Sequence, residues 1–119
     1  MKTDEPAEPA TILDQADALR RVGDDRELFK ALLDDFLDSY GAAGEALAVM
    51  CARGEWENAR FLVHAVRGAA ANLGMVRIYA VARTLEDALK RGDGEVSRTL
   101  QFFNERLREL REYLLTNPL

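Results

Sequence analysis

The chain of 119 residues contains one histidine, His64, and the residue types spaced around it bear on what that side chain can do. Imidazole is well suited to nucleophilic phosphoryl exchange near neutral pH, because its free base is abundant at its ordinary pKa. On a helix turning about 100° per residue, His64 shares its face with Glu57, Arg60, Phe61, Arg67, Gly68 and Ala71. The opposite face carries Ala59, Leu62, Val66, Ala69 and Leu73, an apolar set expected to form the core contacts. His64 is therefore expected to point away from the core. Arg60, one turn back, and Arg67, one turn on, flank the ring with positive charge and should favour an anion there. Gly68 sits in the helix interior, where glycine costs about 1 kcal/mol relative to alanine. With Ala71 it leaves a low patch that a large convex partner can approach. The competing reading of Gly68 is close packing of a neighbouring helix, which would leave His64 an ordinary surface residue.

The elements that must position this histidine are all helical in pattern. Ala, Leu, Arg and Glu dominate, and alternating strand-like runs of Val, Ile and Thr are absent. Thr11 is expected to cap a short helix over 12–22 that ends at Gly23, and Asp24 or Asp25 to cap the next. There Leu28, Phe29, Leu32, Leu33, Phe36, Leu37 and Tyr40 form one apolar face. Gly41 and Gly44 predict a break or kink before the pattern resumes through Leu47, Met50 and Cys51. Further helices are expected over 56–73, closed by Gly74, over 76–90, with Ile78, Ala82, Leu85 and Leu89 on one face, and over 95–115. The last carries Val96, Leu100, Phe103, Leu107, Leu110 and Leu114, the rhythm of a bundle helix. Short connections imply antiparallel neighbours. The expected fold is all-α: an up-down antiparallel four-helix bundle with a short extra N-terminal helix over 11–116, after a disordered segment over 1–10.

Composition removes several function classes. Net charge is −5, and the 16 basic residues are mixed with 21 acidic ones without forming a basic stripe, so nucleic acid is not an expected partner. No apolar run nears the roughly 18 residues that span a bilayer, and the start lacks the regions of a signal peptide. A cytoplasmic location is expected. The single Cys51 cannot form an intramolecular disulfide and reads as a small buried hydrophobe rather than a reactive thiol. No Gly-rich nucleotide loop and no acidic cluster spaced for a metal is present.

The string from His64 through Arg67-Gly68 to Asn72-Leu73-Gly74 resembles the signature of histidine phosphotransfer (HPt) domains, His-x-x-Lys-Gly with small residues following and a second glycine ten positions past the histidine. Gly54-Glu55-Trp56 is similar to the family's Gly-Asp-Trp entry to this helix, and Leu85-Glu86 with Arg91-Gly92-Asp93 matches its next hairpin. The resemblance implies that His64 is phosphorylated, that Arg67 stands where a lysine steadies the phosphoryl group, and that Gly68 gives clearance to the partner. Arg60, Phe61, Gly68 and Ala71 would form the docking surface, with Met75, Val76 and Ile78 able to add an apolar patch. The implied partners are response-regulator receiver domains and a hybrid sensor histidine kinase. The chain would be a monomeric phosphocarrier without kinase activity or a cofactor of its own, the divalent metal coming from the receiver. Arg67 for lysine is the clear departure; it keeps the charge on a longer, forked donor and implies retained activity with an altered phosphohistidine lifetime or partner choice. Ala69 replaces a common serine. The alternatives are the phosphoacceptor domain of a chemotaxis-type or hybrid sensor kinase, and a purely structural helical interaction module.

Overall fold

The computed structural model describes residues 9–92, 94–117 and 119, and the secondary structure among them is helical, with no strand. The expected disordered segment over 1–10 falls mainly outside the described residues, as does Asp93 of the hairpin turn. Six helices follow one another: α1 (Gln15–Arg21), α2 (Arg26–Tyr40), α3 (Ala43–Ala52), α4 (Trp56–Asn72), α5 (Val76–Arg91) and α6 (Val96–Thr116).

The first two helices start on side-chain caps. Asp14, not Thr11, begins α1: its carboxylate accepts from the Asp17 backbone N–H at 3.1 Å. The expected helix over 12–22 is therefore shorter. Before α1 the chain is held by tertiary contact, with Leu13 buried and the Asp14 N–H donating to the Gly74 carbonyl at 2.7 Å. Asp25 caps α2 by accepting from the Leu28 N–H at 3.0 Å. The glycine-rich stretch produces the expected break, and α3 is a separate helix.

Helices α3 to α6 close a ring of packed pairs: α3 on α4, α4 on α5, α5 on α6 and α6 on α3, with α1 against α2. The α4–α5 pair has the most extensive packing. Phe29, Leu33, Leu47, Val63, Val66, Met75, Ile78, Val81, Leu85, Phe103 and Leu110 fill the centre. Burying each such side chain contributes about 1.5–3 kcal/mol, so this core rather than helix propensity holds the helices together. On α2 the apolar face narrows to Phe29, Leu33 and Phe36, while Leu28 is exposed. Leu100 and Leu114 of the α6 stripe are only half-buried, and Thr99 joins the core instead.

The buried face of α4 differs in register from the expected one. Ala59, Val63, Val66, Ala70 and Leu73 are buried, whereas Leu62 and Ala69 are half-buried. The face has turned by about 40° at 100° per residue, because the dominant neighbour α5 covers one flank of α4. A helical wheel read alone cannot tell which flank is covered. Met75 and Ile78 are likewise core residues, which removes them from any docking patch.

Gly74 fixes the α4–α5 turn in two ways. Its φ is +69°, and a Cβ there would lie 2.4 Å from the Asp14 carbonyl oxygen, a backbone atom that cannot swing aside. Gly92 has a similar φ of +64° but open space around it. Gly74→Ala is expected to destabilise the protein by at least about 2 kcal/mol and Gly92→Ala by about 1–2 kcal/mol, the difference being readable by urea denaturation. Equal losses would mean that the clash with Asp14 is relieved at no cost.

Candidate functional site

His64 sits at the middle of α4, and 67% of its side chain is exposed. The ring is nonetheless held. Its Nδ1 lies 3.0 Å from Oε2 of Glu86, which projects from α5. The other carboxylate oxygen of Glu86 accepts from an Arg67 guanidinium N–H at 2.7 Å. Lys90, one turn past Glu86 on α5, brings its Nζ to 3.8 Å from Oε2. Glu86 thus joins α4 to α5 beneath the ring, with only 6% of its side chain exposed.

Burial acts to raise the Glu86 carboxyl, but hydrogen bonds from Arg67 and His64, and the charges of both, outweigh it and hold the pKa below the usual carboxylate value. Glu86 is therefore ionised at neutral pH. An ionised carboxylate only accepts hydrogen bonds, so the imidazole donates from Nδ1. In the neutral ring that leaves the Nε2 lone pair unprotonated, the arrangement a nucleophile requires. The hydrogen bond to Glu86 raises the pKa of Arg67, whose guanidinium carbon lies 5.8 Å from the centroid of the Tyr79 ring.

The expected site residues come together, with one difference in charge. Arg60, Phe61 and His64 line one shallow cleft of about 320 Å³ with Glu57, Glu86 and Lys90. Gly68 and Ala71 are exposed on the C-terminal side of His64, and Phe61 is among the most exposed large apolar side chains. A Cβ on Gly68 would meet nothing within 4 Å, so no neighbouring helix explains that glycine. The positive charge that Arg60 and Arg67 bring beside the ring is partly compensated. Arg60 pairs with Glu57 at 3.0 Å and Arg67 with Glu86, because each arginine meets a carboxylate from its own helix or from α5.

Glu86, Lys90 and Tyr79 are absent from the set expected at the site. Glu86 was quoted only as part of a hairpin resemblance. A signal was present: Glu86 borders the apolar stripe of α5, about 40° from Ala82 at 100° per residue, and an ionisable residue there needs partners. Tyr79, Glu86 and Lys90 are spaced by seven and four, which places them on one helical face.

Residues 26–116 match the family model for the Hpt domain. The chain belongs to the Hpt domain family. Hpt domains are phosphocarriers that act in histidine phosphotransfer within the phosphorelays of two-component signalling, where they interact with receiver domains and kinases. No curated protein and no solved structure matches the chain. Among the described residues of this Hpt domain no helix is long and apolar enough to cross a membrane, and no group of three or more His, Cys, Asp or Glu could hold a metal ion.

The depressed Glu86 pKa sets a pH dependence. The stabilisation it supplies is complete above the ordinary carboxylate value of about 4.3 and is lost as pH falls through the lower folded value. Glu86→Gln is expected to cost about 1–2 kcal/mol at pH 7. The gap between its melting temperature and that of the wild type should narrow as pH drops below about 4. A gap independent of pH would contradict an ionised, paired Glu86.

Proposed function

We propose that His64 accepts a phosphoryl group from the aspartyl phosphate of a receiver domain and passes it to the aspartate of another, within a multistep phosphorelay. The observation that carries this reading is the sole histidine of an Hpt domain, exposed on α4 and hydrogen-bonded through Nδ1 to the ionised Glu86.

The Nε2 lone pair attacks phosphorus in line. The N–P bond forms as the P–O bond to the aspartate breaks, and its electron pair leaves on the aspartate carboxylate. The ring keeps its Nδ1–H and gains positive charge, which the Glu86 carboxylate neutralises until that proton is lost or the phosphoryl group moves on. Transfer onward is the same step in reverse. Arg67, expected to steady the phosphoryl group, is bound to Glu86 and contributes by holding that carboxylate ionised and in place. The divalent metal is supplied by the receiver. The chain is a phosphocarrier with no kinase activity and no cofactor of its own.

Arg60, Phe61, Gly68 and Ala71 form the docking surface in this reading, and the open space over Gly68 admits the rim of the receiver's active site. A hybrid sensor histidine kinase stands upstream. A cytoplasmic, monomeric domain is proposed. Its architecture is an up-down antiparallel four-helix bundle, with α2 and α3 as one broken member, α4, α5 and α6 as the others, and α1 as the extra helix. Support comes from the closed ring of packing pairs and from turns of a few residues between them.

Incubation with phosphorylated receivers should give acid-labile, alkali-stable phosphate on the wild type and none on His64→Gln. Equal labelling of His64→Gln, or no labelling of the wild type by any receiver, would overturn the proposal. Gly68→Met is expected to melt no lower than the wild type, since a Cβ there meets nothing within 4 Å, yet to transfer at least about tenfold more slowly, equivalent to about 1.4 kcal/mol. An unchanged transfer rate would remove Gly68 from the docking surface.

A further inference from the structure

Three cations surround His64, and they are held very differently. Arg67 makes the 2.7 Å bond to the buried Glu86, lies against Tyr79, and leaves only 32% of its side chain exposed. That charge-assisted bond anchors Arg67 beside the carboxylate that holds Nδ1, and swinging the guanidinium toward a phosphoryl group on Nε2 would loosen its hold on a buried carboxylate. Lys90 approaches the same carboxylate only to 3.8 Å, beyond hydrogen-bond length, and is 51% exposed. Its nearest carboxylate atom is Oε2, the oxygen bound to His64 Nδ1, so the ammonium already stands beside the ring. Arg60 is paired with Glu57, a side chain 88% exposed to solvent. Such exposed pairs are weak and readily exchanged.

From this difference we infer that Arg60 and Lys90, and not the motif-position Arg67, are the direct ligands of the phosphoryl group on His64. The two arise on different helices, α4 and α5, and line the same cleft as the imidazole. A dianionic phosphoryl group on Nε2 outcompetes the exposed Glu57 for Arg60 and draws the loosely held Lys90 across. Arg67 stays on Glu86 throughout and acts as a positioning residue. The cleft therefore binds phosphate on the N-terminal side of His64, which leaves the Gly68–Ala71 side clear for the partner. This inference rests on phosphorylation of His64.

The test uses the full chain phosphorylated chemically with phosphoramidate, so that no receiver is needed. The 31P resonance of the phosphohistidine is followed against pH to give its second ionisation. Lys90→Gln and Arg60→Gln should each raise that pKa by about half a unit, as removal of a nearby, partly screened cation does. Arg67→Gln should raise it less than either. Circular dichroism melts confirm that all three variants are folded. A missing shift in Lys90→Gln or Arg60→Gln, or an equal or larger shift in Arg67→Gln, overturns the inference while leaving His64 as acceptor. A wild type that yields no phosphohistidine, or a His64→Gln variant that yields as much, removes the parent reading and this one with it.

Discussion

A carboxylate withdrawn from water is tolerated only when its oxygens find partners, and Glu86 is withdrawn at the interface between α4 and α5. Its two oxygens meet that requirement on opposite sides, one on Arg67 and the other on His64. The demand of the carboxylate therefore dictates where the imidazole lies and which of its nitrogens carries the proton. Two packed helices provide the rigidity: α4 carries the ring, α5 carries the carboxylate, and the Gly74 turn sets one against the other. Most of the imidazole is left outside this arrangement, exposed at the surface.

Arg67 takes a distinct character in this setting. The guanidinium has a planar fork, so it can give one N–H to Glu86 while standing near the Tyr79 ring. An ammonium at the same place would be a point charge with no planar face. Arginine here stabilises the carboxylate that orients the histidine, while the more exposed Arg60 and Lys90 line the cleft beside the ring. The departure from the family's lysine is thus tied to local geometry as well as to charge.

Much of the arrangement was legible in the sequence because it follows from period and local chemistry. The helices of α4 to α6, the break near Gly41 and the outward direction of His64 come from apolar spacing and from glycine positions. Three features were not. The start of α1 moved to Asp14 because the preceding residues are tied to Gly74, sixty positions away. The buried face of α4 turned toward Val63 and Ala70 because α5 covers one flank, a tertiary fact with no trace in the helix's own period. Glu86 went unassigned to the site because its partners lie 19 and 22 residues earlier on another helix. Periodicity locates faces, whereas the pairing of residues across faces needs the packed structure.

The central claim is that Glu86 fixes the proton of the neutral His64 ring on Nδ1 and so leaves Nε2 as the nucleophile. Because the chain has one histidine, its two ring nitrogens give a single pair of signals in a long-range 15N–1H correlation spectrum. At a pH where the ring is neutral, Nδ1 should show the shift of a protonated nitrogen and Nε2 that of an unprotonated one, with phosphorus coupling on Nε2 after phosphorylation. A neutral ring protonated on Nε2, or phosphorus coupling on Nδ1, would contradict the account.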